Sequence, residues 1–258
     1  MTAHETDAME VFTRLDSYGE RFSLHRGLAP GHDWIACDRL LNPHSDELGQ
    51  VLDAERRGSG QVSDHATALT VMAVYAGTVT ASALLAWALD RVVVDMRAGN
   101  VAVRLAPDHG FEAVALREPR VEQAPLTTLV SWVLDDHLLP LADALRIRTK
   151  AGMRQLRGGV AHGCAAAFCI SSRRGGDVTR LHEAYETFLA ASTGDLARLG
   201  DVIRLREGDR EGLFYLRKTC CLYYTSAHGG KCSSCCLDSV EDRITNYRRV
   251  LADGVVPH

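Results

Sequence analysis

The sequence lacks most of the short patterns that assign a chemistry at sight. No G-x-G-x-x-G follows a strand-like run, and no G-x4-G-K-[ST] occurs, so the chain has no fingerprint for its own dinucleotide or phosphate ligand. G-x-S-x-G and H-E-x-x-H are also missing, which removes the common serine-hydrolase and zinc-protease signatures. Positive charge is not in excess: the net charge of −4 argues against a general nucleic-acid binder. Met1–Glu5 has neither a basic region nor an apolar signal segment, and the expected location is the cytoplasm. Ala66–Leu89 lacks any charged residue, a length that would cross a bilayer. Eight of its residues are alanine and four are threonine, so a buried core helix, or two helices broken near Gly77, is expected instead. Peripheral membrane contact is left open. No internal repeat or low-complexity tract is present.

Cysteine is what the chain has, and it is concentrated. Five of the eight cysteines fall in Cys220-Cys221-x10-Cys232-Ser233-Ser234-Cys235-Cys236. In a reducing compartment such a group reads as a metal centre in preference to disulfides. Zinc sites usually use two C-x2-C knuckles, whereas here one knuckle is replaced by an adjacent pair, which favours an iron–sulfur cluster. Sulfurs on one tetrahedral metal lie roughly 3.8 Å apart, so neighbouring residues can share an iron if the backbone turns there. An extended strand would send them to opposite faces, and a bend is therefore expected at Cys220–Cys221. Structural zinc remains the alternative. Cys37, Cys164 and Cys169 read as buried small hydrophobes.

Leu216-Arg217-Lys218-Thr219-Cys220-Cys221-Leu222-Tyr223-Tyr224 followed by Gly229-Gly230-Lys231-Cys232-Ser233-Ser234-Cys235 resembles the C-terminal signature of FhuF-like ferric-siderophore reductases. The resemblance implies a [2Fe-2S] cluster held by Cys220, Cys221, Cys232 and Cys235, with Cys236 spare where the family commonly has proline. Exchange of ligand duty between Cys235 and Cys236 is open. A weaker likeness covers Leu156–His162, where Arg157 and Gly159 stand in place of the family's usual Trp and Asn. A more distant relation to the palm region of siderophore synthetases is a matter of fold alone.

The implied activity is one-electron reduction of siderophore-bound Fe(III) to Fe(II). A hard ferric ion is gripped by oxygen donors that hold ferrous iron far more weakly, and a [2Fe-2S] cluster carries one electron at a time. Because the chain has no nicotinamide or flavin fingerprint, the electron would come from a separate ferredoxin or flavoprotein donor. The stretches 144–174 and 214–236 contain basic residues and no acid. Arg217, Lys218 and Lys231 are candidates for raising the cluster potential or contacting the siderophore, as are amides at Gly229 and Gly230. Arg154 and Arg157 are candidates for a siderophore pocket or a docking face for the donor. His162 reads as a satisfied structural histidine, Tyr223 and Tyr224 as packing or cluster shielding. Asp135-Asp136-His137 is not a metal set, since adjacent helical residues point apart. The rival readings are a non-enzymatic iron–sulfur or zinc sensor and an electron-transfer component for another enzyme.

Periodicity predicts an α+β chain: a mainly helical domain with a small antiparallel β-meander, plus a small C-terminal cysteine-rich module. The division expected is 1–200 for a siderophore-binding domain and 201–258 for the cluster module. Helices are expected over His4–Ser17, Trp34–Leu41, Ser63/Asp64–Leu89, Pro125–Leu145, Gly152–Ile170, Val178–Ala191 and Glu241–Leu251. Strands are expected at Arg91–Met96, Asn100–Leu105, Glu112–Leu116 and Val202–Leu205, and a polar loop at Asp53–Gly60.

Overall fold

A computed structural model describes residues 3–28, 33–193 and 195–254. Helix α1 (Ala3–Ser17) buries Val11, Phe12 and Leu15 along one face. Strands β1 (His25–Arg26) and β2 (Ile35–Ala36) follow, then one helical turn, α2 (Cys37–Leu40). The helix expected over Trp34–Leu41 is therefore half strand, because Ile35 and Ala36 pair with Val103 and Ala102 of a distant segment.

Helix α3 (Asp46–Ser59) overturns the expected loop at Asp53–Gly60, which forms its last two turns. The Ser45 hydroxyl accepts from the Leu48 N–H at its start, and Asp46 and Glu47 oppose Arg56 and Arg57 along the helix dipole. Gly60, at φ 68°, ends it in the left-handed region. Ser63 caps α4 (Asp64–Val79) by accepting from the Ala66 N–H, as expected. The uncharged run breaks at Thr80, three residues past Gly77, and resumes as α5 (Ala81–Asp90). Asp64–Asp90 is long and apolar enough to cross a membrane, yet 83% of its most apolar window is buried in the fold. Its polar side chains are satisfied locally: Thr67 and Thr70 donate back to the carbonyls of Ser63 and Ala66, and Ser82 donates to that of Phe22.

The meander is only partly as expected. β4 (Val101–Leu105) and β5 (Phe111–Leu116) pair antiparallel, but β3 (Val93–Val94) leaves them to pair with β6 (Val121–Glu122). The turn after β3 is fixed by Arg97 on the Asp95 carboxylate and by Asn100 donating to the carbonyls of Asp95 and Glu118. In its place β2 flanks β4 and β1 runs parallel to β5, giving the order β1-β5-β4-β2.

The helix opened by Pro125 comprises α6 (Leu126–Val130), a π-helical stretch Ser131–Leu138, and α7 (Leu139–Thr149). The widened stretch immediately precedes Pro140, which cannot donate to a regular ladder. Helix α8 (Met153–Arg173) lies against α4, and here its glycines have a positive use. A Cβ on Gly163 would stand 2.4 Å from the Gly77 nitrogen, and one on Gly159 3.1 Å from that of Ala73. The two backbones meet because these side chains are absent. Helix α9 (Val178–Ala191) matches its expected bounds.

The strand expected at Val202–Leu205 is the middle of β7 (Gly200–Glu207), which forms a hairpin with β8 (Arg210–Arg217). Alternation along β8 divides its contacts: Leu213 and Tyr215 belong to the main core, while Phe214 and Leu216 pack with Tyr247 and Leu251 of α10 (Val240–Asp253). The architecture is α+β, mainly helical, with small sheets.

Candidate metal centre

The chain leaves β8 at Arg217, bends at Thr219, and passes through Cys220 and Cys221 into Leu222, which holds a left-handed φ of 58°. The bend expected at the cysteine pair falls on either side of it, at Thr219 before and at Leu222 after. A left-handed non-glycine residue costs on the order of 1–2 kcal/mol, and the surroundings hold it in place. Gln61 Nε2 donates to Thr225 Oγ1 at 2.9 Å, and the N–H groups of Ala227 and His228 donate to the carbonyls of Gly60 and Ser59. Against α8, Thr219 occupies the space that a side chain at Gly158 would fill; a Cβ there would lie 1.9 Å from Thr219 Oγ1. Gly229 is equally constrained, since a Cβ would lie 2.2 Å from the Tyr223 carbonyl oxygen.

The second half of the segment is tied to α10. The Cys235 N–H donates to the Cys232 carbonyl at 2.9 Å, closing the knuckle. Ser239 caps α10 by accepting from the Asp242 N–H. Tyr247 donates to the Tyr215 carbonyl at 2.8 Å.

Cys220, Cys221, Cys232, Cys235 and Cys236 all line one cavity, walled further by Arg217, Thr219, Tyr223, Tyr224 and Gly230. All five are free thiols. One sulfur receives an amide N–H two residues on, Leu222 to Cys220 Sγ at 3.4 Å. Arg217 is only 3% exposed, yet its Nε has no partner, and the buried Thr219 hydroxyl also lacks one. A buried guanidinium N–H without an acceptor is costly. Anionic sulfur ligands around iron would supply the missing countercharge at that wall. Among the described residues no three His, Cys, Asp or Glu groups converge on a point as a single metal ion requires. A binuclear cluster asks less, because each iron takes two thiolates and bridging sulfides separate the pairs.

Residues 217–237 match the family model described as FhuF 2Fe-2S C-terminal domain. The cysteine segment is a FhuF-type [2Fe-2S] motif. Its cofactor is a [2Fe-2S] cluster, and the match begins at the buried Arg217. No curated protein matches the chain.

Around the FhuF-type motif the basic candidates separate by exposure. Arg217 faces inward, whereas Lys218 and Lys231 are about half exposed and pair with Asp201 at 2.8 Å and Asp238 at 2.7 Å. Arg154 is exposed on α8. Arg157 pairs with Asp195 at 2.9 Å and borders a separate cleft with Leu139, Thr193 and Leu196. Neither α8 arginine lines the cysteine cavity. His162 is half-buried and, contrary to the expectation of a satisfied histidine, its Nδ1 has no partner. Burial first, and then the charges of Arg217 and Arg21, push its pKa down to about 3, so the ring is neutral. Cys37, Cys164 and Cys169 are buried and their thiols are pushed up to about 12, as befits inert core residues. Asp135 and Asp136 point outward while His137 is buried, bonded to the Tyr75 hydroxyl and the Met96 carbonyl.

One pair of polar residues was missed from sequence. Glu55 of α3 is 2% exposed at its side chain, with Oε2 3.4 Å from His109 Nδ1 and Oε1 unpartnered. Burial raises its pKa despite the imidazole. The His109 ring lies 6.3 Å from that of Tyr223 in the cavity wall. Gly58 makes this approach feasible, since a Cβ there would lie 1.9 Å from the Asp108 carbonyl oxygen. Gly58, expected in a loop, stands in α3, and its meeting with Asp108 and His109 has no local sequence signal.

Proposed function

We propose that the chain is a ferric-siderophore reductase acting in the cytoplasm, passing one electron to a siderophore-chelated Fe(III) so that Fe(II) is released. The observation that carries this reading is the buried, unpartnered Arg217 in a cavity of thiols inside a FhuF-type motif. Cys220, Cys221, Cys232 and Cys235 would hold the cluster, which supplies single-electron transfer when bound. Arg217 places fixed positive charge beside the sulfurs, and the amide of Leu222 adds a hydrogen bond to Cys220; both favour the more negative, reduced state. Tyr223 and Tyr224 narrow the access of water to the cavity. Lys218 and Lys231, outside the wall, are positioned to attract an anionic ferric chelate. Their ion pairs with Asp201 and Asp238 are exposed and weak enough to open for a ligand.

The electron comes from a separate ferredoxin or flavoprotein, since the sequence carries no nucleotide fingerprint. The decisive test mixes anaerobically reduced protein with a ferric hydroxamate and, separately, a ferric catecholate, in the presence of an Fe(II) chelator. One Fe(II) captured per reduced cluster supports the proposal; capture no higher than in the protein-free control defeats it.

A further inference from the structure

The cavity holds one thiol more than a [2Fe-2S] cluster needs. Cys236 lines it beside the four assigned cysteines, Cys220 among them. Adjacent residues on an extended strand would face apart. Here turns at Ser233–Ser234 and Cys236–Leu237 bracket the pair, so that both Cys235 and Cys236 reach the same space. The bend and left-handed Leu222 do the same for Cys220 and Cys221. The segment thus presents two adjacent cysteine pairs to one centre, with Cys232 between them in sequence.

We propose that Cys236 is an alternative ligand, exchanging with Cys235 to complete the set of Cys220, Cys221 and Cys232. In the exchange the incoming thiol releases its proton to solvent and its thiolate binds iron. The departing thiolate takes up a proton, and no electrons move. The two forms are not equivalent: Cys235 is 6% exposed, and Cys236 is more open. Cys236 would hold the cluster from the more open side of the cavity, and exposure is one of the determinants of cluster potential.

This proposal rests on the [2Fe-2S] reading of the segment, and its test separates the two. Wild type, Cys235→Ala, Cys236→Ala, the double variant and Cys220→Ala are reconstituted anaerobically with iron and sulfide. Iron and sulfide per chain are measured, and the reduced proteins are compared by electron paramagnetic resonance. Each single variant at 235 or 236 should retain the wild-type content, and the double variant should fall at least tenfold, to the level of Cys220→Ala. The wild-type spectrum should be a weighted sum of the spectra of the two singles. A Cys235→Ala protein that keeps its far-ultraviolet circular dichroism but is as empty as Cys220→Ala overturns the exchange. So does a wild-type spectrum identical to that of Cys236→Ala. Wild type that takes up neither iron nor sulfide overturns the cluster reading itself and the exchange with it.

Discussion

Arg217 concentrates the chemistry of the site in one side chain. It closes β8, is buried, and lacks any described ion-pair partner, so its charge acts on the cavity it lines. Replacing it with glutamine keeps most of the volume and removes the charge. The cluster potential of Arg217→Gln should therefore move to more negative values in a spectroelectrochemical titration; an unchanged midpoint would deny the arginine that role. Two histidines set the response to acid. His137 and His162 are held neutral by burial, with pKa values pushed down to about 4 and about 3. The unfolded chain binds protons that the folded chain refuses, so stability is full above the ordinary histidine pKa and falls as pH drops below it. Each residue should remove about 2 kcal/mol on going from pH 7 to pH 5. Urea unfolding at the two pH values measures the loss, and His162→Phe should reduce it. Glu55 works in the opposite sense. Its raised pKa means that stability falls as pH climbs through the folded value, so Glu55→Gln should gain on wild type at pH 8 relative to pH 5. An equal difference at both pH values would show that the carboxyl does not titrate in that window.

At the scale of elements, α8 does two jobs with neighbouring glycines. Gly159 and Gly163 admit α4, and Gly158 admits the cysteine loop. Gly163→Leu should cost stability on the order of 1–3 kcal/mol through overpacking in the center of the fold. Gly158→Val should instead displace Thr219, and cluster content should drop with a smaller change in melting temperature. If the two variants show the same ratio of cluster loss to stability loss, the loop is not seated through Gly158. These contacts also explain what the sequence conveyed and what it withheld. The cap at Ser63 and the turn-bounded runs of β4 and β5 act within a few residues, so such elements are open to inspection, whereas α3 and β8 lie outside the elements expected. The cysteine spacing is local in the same way, because ligand chemistry demands it. Gly58 and Gly158 read as helix breakers when judged by propensity, and only the partners they admit, Asp108 and Thr219, reveal them as seats. The strand at Ile35–Ala36 and the departure of β3 from the meander depend on pairing with segments far along the chain.

For the molecule as a whole, the helices around α4 and α8 form a large apolar core to which the cysteine loop adds little. Chelating the iron should leave far-ultraviolet circular dichroism largely intact. Limited proteolysis should then cut first within 218–239; cleavage beginning in α4 or α8 would mean that the core needs the metal. The Glu55–His109 contact joins α3, the β4–β5 turn and the cavity wall, and three such distant pieces share no pattern that a one-dimensional reading can join.

The sulfur donors ride on separate supports. Cys220 and Cys221 are anchored through Gly60, Gln61 and Gly158, whereas Cys232 and Cys235 lead directly into α10. With these four as ligands, iron bridging them would add an inorganic crosslink to the packing of Phe214 and Leu216 that already holds the last helix. Amide hydrogen exchange along Val240–Asp253 becomes a gauge of loading, and any protein that grips this helix can sense whether the chain is charged with metal.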